Sequence, residues 1–219
     1  MNIGERILRL LYPPKCVFCG ALLSPEEEGA CEKCRAELPF VGEKCEAKAE
    51  FVEEVAAALY YKDKVPSSVR RYKFSGRAAY ARSYAPLVAS AVRSQLSDRY
   101  DCLCWVPISR KRLRKRGYDQ GRELASALSR ELGLPAERLL VKKRDNPAQS
   151  GIRQEAERRA NVSGSYRAAA GAQIAGRRIL LVDDVFTTGS TAGECARNLR
   201  LAGAQSVGCA VLAYAKRGK

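Results

Sequence analysis

The stretch Ile179-Leu-Leu-Val-Asp-Asp-Val-Phe-Thr-Thr-Gly-Ser-Thr191 constrains this chain more than any other. Its apolar run, Ile179 to Val182, reads as a buried strand, and two adjacent carboxylates, Asp183 and Asp184, close it. A turn of Thr187, Thr188, Gly189, Ser190 and Thr191 then leads into a helix from about Thr191 to Ala202. Gly203 follows as the helix stop, and Val207 to Tyr214 reads as a second strand, which makes a βαβ unit. Such units predict an α/β fold with a parallel, doubly wound sheet and a ligand at the carboxyl ends of its strands. Carboxylates at that place can accept hydrogen bonds from vicinal ribose hydroxyls and attract a metal ion. Unpaired N–H donors and the dipole of the following helix favour a phosphate. Gly189 lets the backbone approach closely. Thr191 and Glu194 form a capping-box pattern that predicts the helix start. A phosphorylated ribose suits the whole segment.

Upstream the pattern is of the same kind. Val55 to Tyr61 is β-prone, helical periodicity covers about 65 to 74 and 76 to 97, and Cys102 to Val106 is a strand candidate. A basic loop from Ser109 to Gly117 precedes a helix from Asp119 to Leu132 that stops at Gly133, and Leu139 to Lys142 reads as a strand. The polar segment 143–177 carries no clear period.

The start of the chain is different. Residues 1–48 hold five of the nine cysteines, with Pro13-Pro14 and Glu26-Glu27-Glu28 interrupting any regular element. Cys16-Val-Phe-Cys19 and Cys31-Glu-Lys-Cys34 are two C-x-x-C knuckles, enough thiolates for one closed, structural zinc site. The expected division is a zinc ribbon over 1–48 and a larger domain over 49–219. Cys102, Cys104, Cys195 and Cys209 lie in apolar patterns and are expected to be ordinary buried thiols. Met1 to Leu11 reads as a short amphipathic helix and no run approaches the length of a membrane span, so no membrane insertion and a cytoplasmic location are expected.

Charge narrows the partners. The chain carries a formal +15, and residues 62–116 hold fifteen basic side chains against Asp63, Asp98 and Asp101. A solvated surface accounts for scattered charge; a one-sign field so concentrated favours a polyanion.

Position for position, the 179–191 segment resembles the PRPP-binding signature of type I phosphoribosyltransferases. Arg112-Leu-Arg-Lys-Arg-Gly-Tyr-Asp-Gln120, then Gln149, then Arg158 with Asn161-Val162, together with the cysteine-rich start, resemble the ordered motifs of the ComF family of competence-associated proteins. Two departures stand out: Asp119 replaces the usual Asn, and Ser109 stands where a His is common, in a chain without histidine. The resemblance would also place a second cysteine pair near Cys45, whose partner is missing.

The resemblance implies a PRPP site with Mg²⁺, Asp183 and Asp184 in the catalytic positions, phosphate on Thr187 to Thr191, and pyrophosphate on Pro107, Ile108 and Ser109 under Arg112, Arg114 and Arg116. Displacement at an anomeric carbon needs its pyrophosphate leaving group neutralised, which clustered cations do. The same basic segment could instead grip single-stranded DNA, with Tyr118 stacking on a base. Three readings follow: a PRPP-dependent phosphoribosyltransferase with an unspecified acceptor, a DNA-binding module for uptake, and a PRPP-responsive regulator.

Overall fold

A computed structural model describes residues 13–97, 99–143 and 163–216. The expected helix over Met1 to Leu11 and the motif residues Gln149, Arg158, Asn161 and Val162 lie outside them.

In chain order the elements are α1 (Glu32–Glu37), β1 (Val55–Tyr60), α2 (Val65–Phe74), α3 (Tyr80–Gln95), β2 (Cys102–Trp105), α4 (Arg110–Arg116), α5 (Gln120–Leu132), β3 (Ala136–Glu137), β4 (Leu140–Lys142), β5 (Tyr166–Ala168), β6 (Arg178–Phe186), α6 (Ser190–Leu201) and β7 (Ser206–Tyr214). The main sheet runs β1-β7-β6-β2-β3 with every pairing parallel, as the alternation of strands and helices predicts. A short antiparallel pair, β4 with β5, stands apart.

Both faces of the sheet are covered, which is why its strands read as continuous apolar runs. Strand alternation sends Ala56, Leu103, Leu180, Val182, Ala210 and Leu212 to one core with α2, α3 and α5. Val55, Cys104, Ile179, Leu181, Cys209 and Val211 go to the other, with α6 and the β4–β5 pair. Cys102, Cys104, Cys195 and Cys209 are buried there, their thiols pushed up by desolvation. Cys16, Val17, Phe18 and Cys34 of the ribbon pack into the first core, where the Phe18 ring lies 6.1 Å from that of Tyr84.

Two expectations are corrected. The basic segment 110–116 is a helix, because Ser109 Oγ accepts from Arg112 N at 3.2 Å and caps its start, while Gly117 (φ +81°) closes its end. Strand β6 also runs past Val182 to Phe186, since pairing with β7 continues through Asp183↔Val211 and Phe186↔Tyr214. The two aspartates therefore sit within a strand and point to opposite faces.

Candidate phosphoribosyl site and zinc ribbon

The carboxyl ends of β2 and β6 lie side by side: Val106 N donates to Val182 O at 3.0 Å, bringing Pro107, Ile108 and Ser109 beside Asp183 and Asp184. Asp184 is 3% exposed; Lys73 Nζ, from the end of α2, reaches its Oδ1 at 2.9 Å, and its Oδ2 has no hydrogen-bond partner among the described residues. A buried carboxylate oxygen left without a donor is costly, and a donor from a ligand hydroxyl would remove that cost. Asp183 accepts from Asp184 N at 2.8 Å, and burial, with the neighbouring Asp184 charge, pushes its carboxyl up to about 8.

The following turn is built around Gly189. Its φ of +77° disfavours any side chain, and a Cβ there would lie 2.8 Å from Lys48 O and 2.9 Å from Phe186 Cζ. Gly189 is the N-cap of α6 and provides no side-chain cap. The Thr191–Glu194 capping box is thus a second correction at this loop: the helix starts one residue earlier, and Glu194 Oε1 accepts instead from Gly164 N at 2.9 Å and Asn198 Nδ2 at 3.1 Å. Thr188 Oγ1 bonds Ser190 Oγ at 2.8 Å and orders the turn. A cavity of about 680 Å³ opens against this turn, walled by Lys48, Phe51, Thr188, Ser190 and Arg197.

Across from it, Asp119 holds the β2 loop. Its Oδ1 accepts from Gly121 N at 3.0 Å and Arg122 N at 3.3 Å, capping α5, and its Oδ2 accepts from Ile108 N at 3.2 Å. Here the departure from Asn acquires a reason, because an amide nitrogen at the Oδ2 position could not accept the Ile108 N–H. The three arginines of α4 divide. Arg114 is exposed, Arg112 is half-buried, and Arg116 turns inward, 4.8 Å above the Phe74 ring and 2.6 Å from Gln120 Oε1. Tyr118, a candidate for base stacking, instead packs its ring 6.1 Å from Tyr72.

Sequence reasoning missed Lys73. The signal was present: Lys73 stands four residues after buried Val69 and so extends the apolar stripe of α2 toward the sheet, where a lysine needs an anionic partner.

In the ribbon, the Sγ atoms of Cys16, Cys19, Cys31 and Cys34 all lie within 4.8 Å of one another. The Cys19–Cys31 separation is 3.7 Å, the edge of a tetrahedron with arms of about 2.3 Å, the zinc–thiolate length. The thiols are also tuned unequally. Burial opposes ionisation of Cys16, but N–H groups of Cys19, Cys31 and Phe18 bring it down to about 7. Desolvation and the surrounding thiols push Cys34 up to about 12. Four thiolates so close together need a cation, and zinc fits the set as a structural ion.

Comparison with known proteins agrees with both parts. A double zinc ribbon domain matches residues 7–60 and a phosphoribosyl transferase domain matches residues 119–219. Beyond Cys34 the ribbon match contains a single cysteine, Cys45, which is buried. Competence protein F of Haemophilus influenzae is 26% identical over 88% of this chain and 93% of its own length. Competence protein ComFC of Bacillus subtilis is 28% identical over 64% of this chain and 55% of its own. DNA utilization protein YhgH of Escherichia coli O157:H7 is 32% identical over 64% and 62%. Among solved structures, glutamine PRPP amidotransferase from B. subtilis matches 64% of this chain and 30% of its own at 21% identity and TM-score 0.43. Adenine phosphoribosyltransferase of Leishmania donovani matches 63% and 53% at 16% identity and TM-score 0.37. No helix among the described residues is long and apolar enough to cross a membrane. With a four-cysteine ribbon joined to a parallel sheet that a phosphoribosyl transferase domain matches, the chain is similar to competence protein F along most of its length.

Proposed function

We propose that the chain binds a phosphoribosyl ligand of the PRPP class at the ends of β2 and β6, and that it serves the uptake or use of DNA. The observation that carries the ligand reading is Asp184: buried, held by Lys73 on one oxygen, without a partner on the other among the described residues, and close to a helix start whose N-cap, Gly189, has no capping side chain. Asp183 and Asp184 receive the ribose hydroxyls, and Thr187, Thr188, Gly189, Ser190 and Thr191 receive the phosphate. Pro107, Ile108 and Ser109 border the pyrophosphate, whose charge Arg112, Arg116 and a Mg²⁺ carried with the ligand offset. In the enzymatic form of this reading an acceptor displaces pyrophosphate, its new bond to the anomeric carbon forming as the carbon–oxygen bond to pyrophosphate breaks. The division near residue 48 is part of the reading, as is the cytoplasm, whose reducing conditions keep zinc-binding thiols free of disulfides.

Calorimetry with Mg²⁺ and PRPP tests it, followed by a screen of nucleobase acceptors for pyrophosphate release. The Asp183→Asn, Asp184→Asn double variant should bind PRPP more weakly, and unchanged affinity in a folded double variant removes the ribose-binding role.

A second reading, single-stranded DNA on the basic face, is favoured by the exposure of Arg110, Lys111, Arg114 and Lys115 along α4, a helix without an acidic residue. Each neutralised phosphate of a single strand contributes about −0.7 to the slope of log affinity against log salt, so Arg114→Ala with Lys115→Ala should flatten it by about 1.4. Failure of the unaltered chain to bind single-stranded DNA at low salt removes this reading.

A further inference from the structure

Helix α2 touches both the ribbon and the candidate ligand site. Near its start, Lys64 Nζ lies 3.7 Å from Cys34 Sγ and 2.6 Å from Glu37 Oε2. Further along, Ser68 Oγ donates to Val17 O at 2.5 Å, and Arg71 Nη2 donates to Val17 O and Phe18 O at 2.8 Å each. Residues 64, 68 and 71 form one stripe at helical spacing, and it lies against the ribbon. Val17 and Phe18 are the two residues between Cys16 and Cys19, so α2 is fastened to the turn that holds two of the four thiols. Lys73 leaves the helix on a different side and ends 2.9 Å from Asp184 Oδ1, with side-chain exposures of 23% and 4%. The same turn is tied to the start of α5, where Tyr72 donates to Gln120 O at 2.6 Å.

We propose that the zinc knuckle, acting through Ser68 and Arg71, sets the reach of Lys73 to Asp184, which makes Lys73 a positioning residue for the phosphoribosyl site; this rests on the ligand reading above. Adjacent carboxylates repel a polyanion, and a lysine held against one of them offsets that charge while fixing which oxygen stays open. A partly buried pair of this kind does so only where its geometry is held, and the hold here comes from two carbonyls of the metal-binding turn. Losing zinc frees that turn, and Lys73 loses its register with Asp184.

Two measurements on the full chain test this. The first, lysine acylation read by mass spectrometry without ligand, should find Lys73 protected relative to exposed Lys111 when zinc is bound. Chelation should raise Lys73 labelling severalfold, with zinc restoring protection. A stripped ribbon that unfolds would expose lysines generally, so Arg71→Met, which leaves the thiols in place, should raise Lys73 labelling with zinc still bound. Unchanged Lys73 labelling in both cases overturns the coupling.

The second is a titration with Mg²⁺ and PRPP. Zinc removal and Lys73→Met should each weaken binding by about tenfold. Stripping zinc from Lys73→Met should then add little, because both act on one contact, whereas a full additional loss overturns the proposal. If the zinc-loaded chain does not bind PRPP, the ligand reading fails, and the footprint alone decides the coupling.

Discussion

Helices α6 and α5 begin at the same end of the same sheet, yet their N-termini are finished in opposite ways. Asp119 closes α5 with its own carboxylate, bonding Gly121 N, Arg122 N and the neighbouring Ile108 N. α4, which lies between β2 and α5 in sequence, is likewise closed by Ser109. α6 begins at a glycine with no side-chain cap. The first amides of any helix lack partners within it; at α5 and α4 the N-cap side chain meets them, whereas at α6 Gly189 has no side chain to offer and, among the described residues, Thr188 Oγ1 reaches Ser190 N alone, at 3.3 Å. A helix start whose N-cap has no side chain can offer its amides to a ligand, and the acidic pair on β6 precedes that start in sequence.

The largest effect in this comparison is expected at Gly189. Alanine there adds left-handed strain and a contact with Lys48 O at 2.8 Å that backbone must yield to relieve, costing on the order of 2–5 kcal/mol. Urea unfolding should register that loss, and phosphate or PRPP affinity should fall with it. Full affinity in Gly189→Ala would mean the open start of α6 is not where phosphate binds.

Asp119→Ala comes next, removing acceptors from three amides at once, for about 3 kcal/mol. Asp119→Asn should lose less, because Oδ1 capping survives and only the Ile108 contact is lost. Equal destabilisation by the two variants in denaturant would show that the Ile108 bond, not the cap, dominates.

These two helix starts also mark how far the sequence could be read. The βαβ pattern, Gly189, the Asp183–Asp184 pair and the four ribbon cysteines were all legible, since spacing along the chain carries them. The helical state of 110–116 was not: seven residues rich in Arg and Lys look like a solvated loop, and only the Ser109 bond to Arg112 N reveals a capped helix. The capping box failed because Glu194 found a better partner in Gly164 N, thirty residues away in sequence. Lys73 went unread for a related reason: its place on the apolar stripe of α2 is a local signal, but the partner that explains it is more than a hundred residues distant. Local pattern finds what local chemistry decides, and pairings made across the sheet lie beyond it.

Asp183 provides the third test, through pH. Its carboxyl is raised by burial and by Asp184, to about 8, above its value in an unfolded chain, so between about pH 4 and 8 the folded state holds a proton that the unfolded state has released. Stability from this group is therefore full below pH 4 and is lost as pH rises toward 8. Discounted for the part of the side chain that solvent reaches, the swing is roughly 2 kcal/mol. Thermal or denaturant unfolding across that range should show the decline in the unaltered chain and a flatter profile in Asp183→Asn. Identical profiles would mean that the carboxylate is already relieved.

The smallest effect belongs to Ser109, and it sharpens the contrast most cleanly. Its hydroxyl caps a seven-residue helix by one bond, so Ser109→Ala should cost only about 1 kcal/mol. If Ser109 acts solely as a cap, Ser109→Asp should restore stability through a stronger cap while leaving PRPP affinity near that of the unaltered chain. If the β2 loop borders pyrophosphate, the new carboxylate will repel it, and affinity will fall even as stability recovers. The two readouts therefore move together for a helix start that the chain keeps for itself and apart for one that it shares with a ligand.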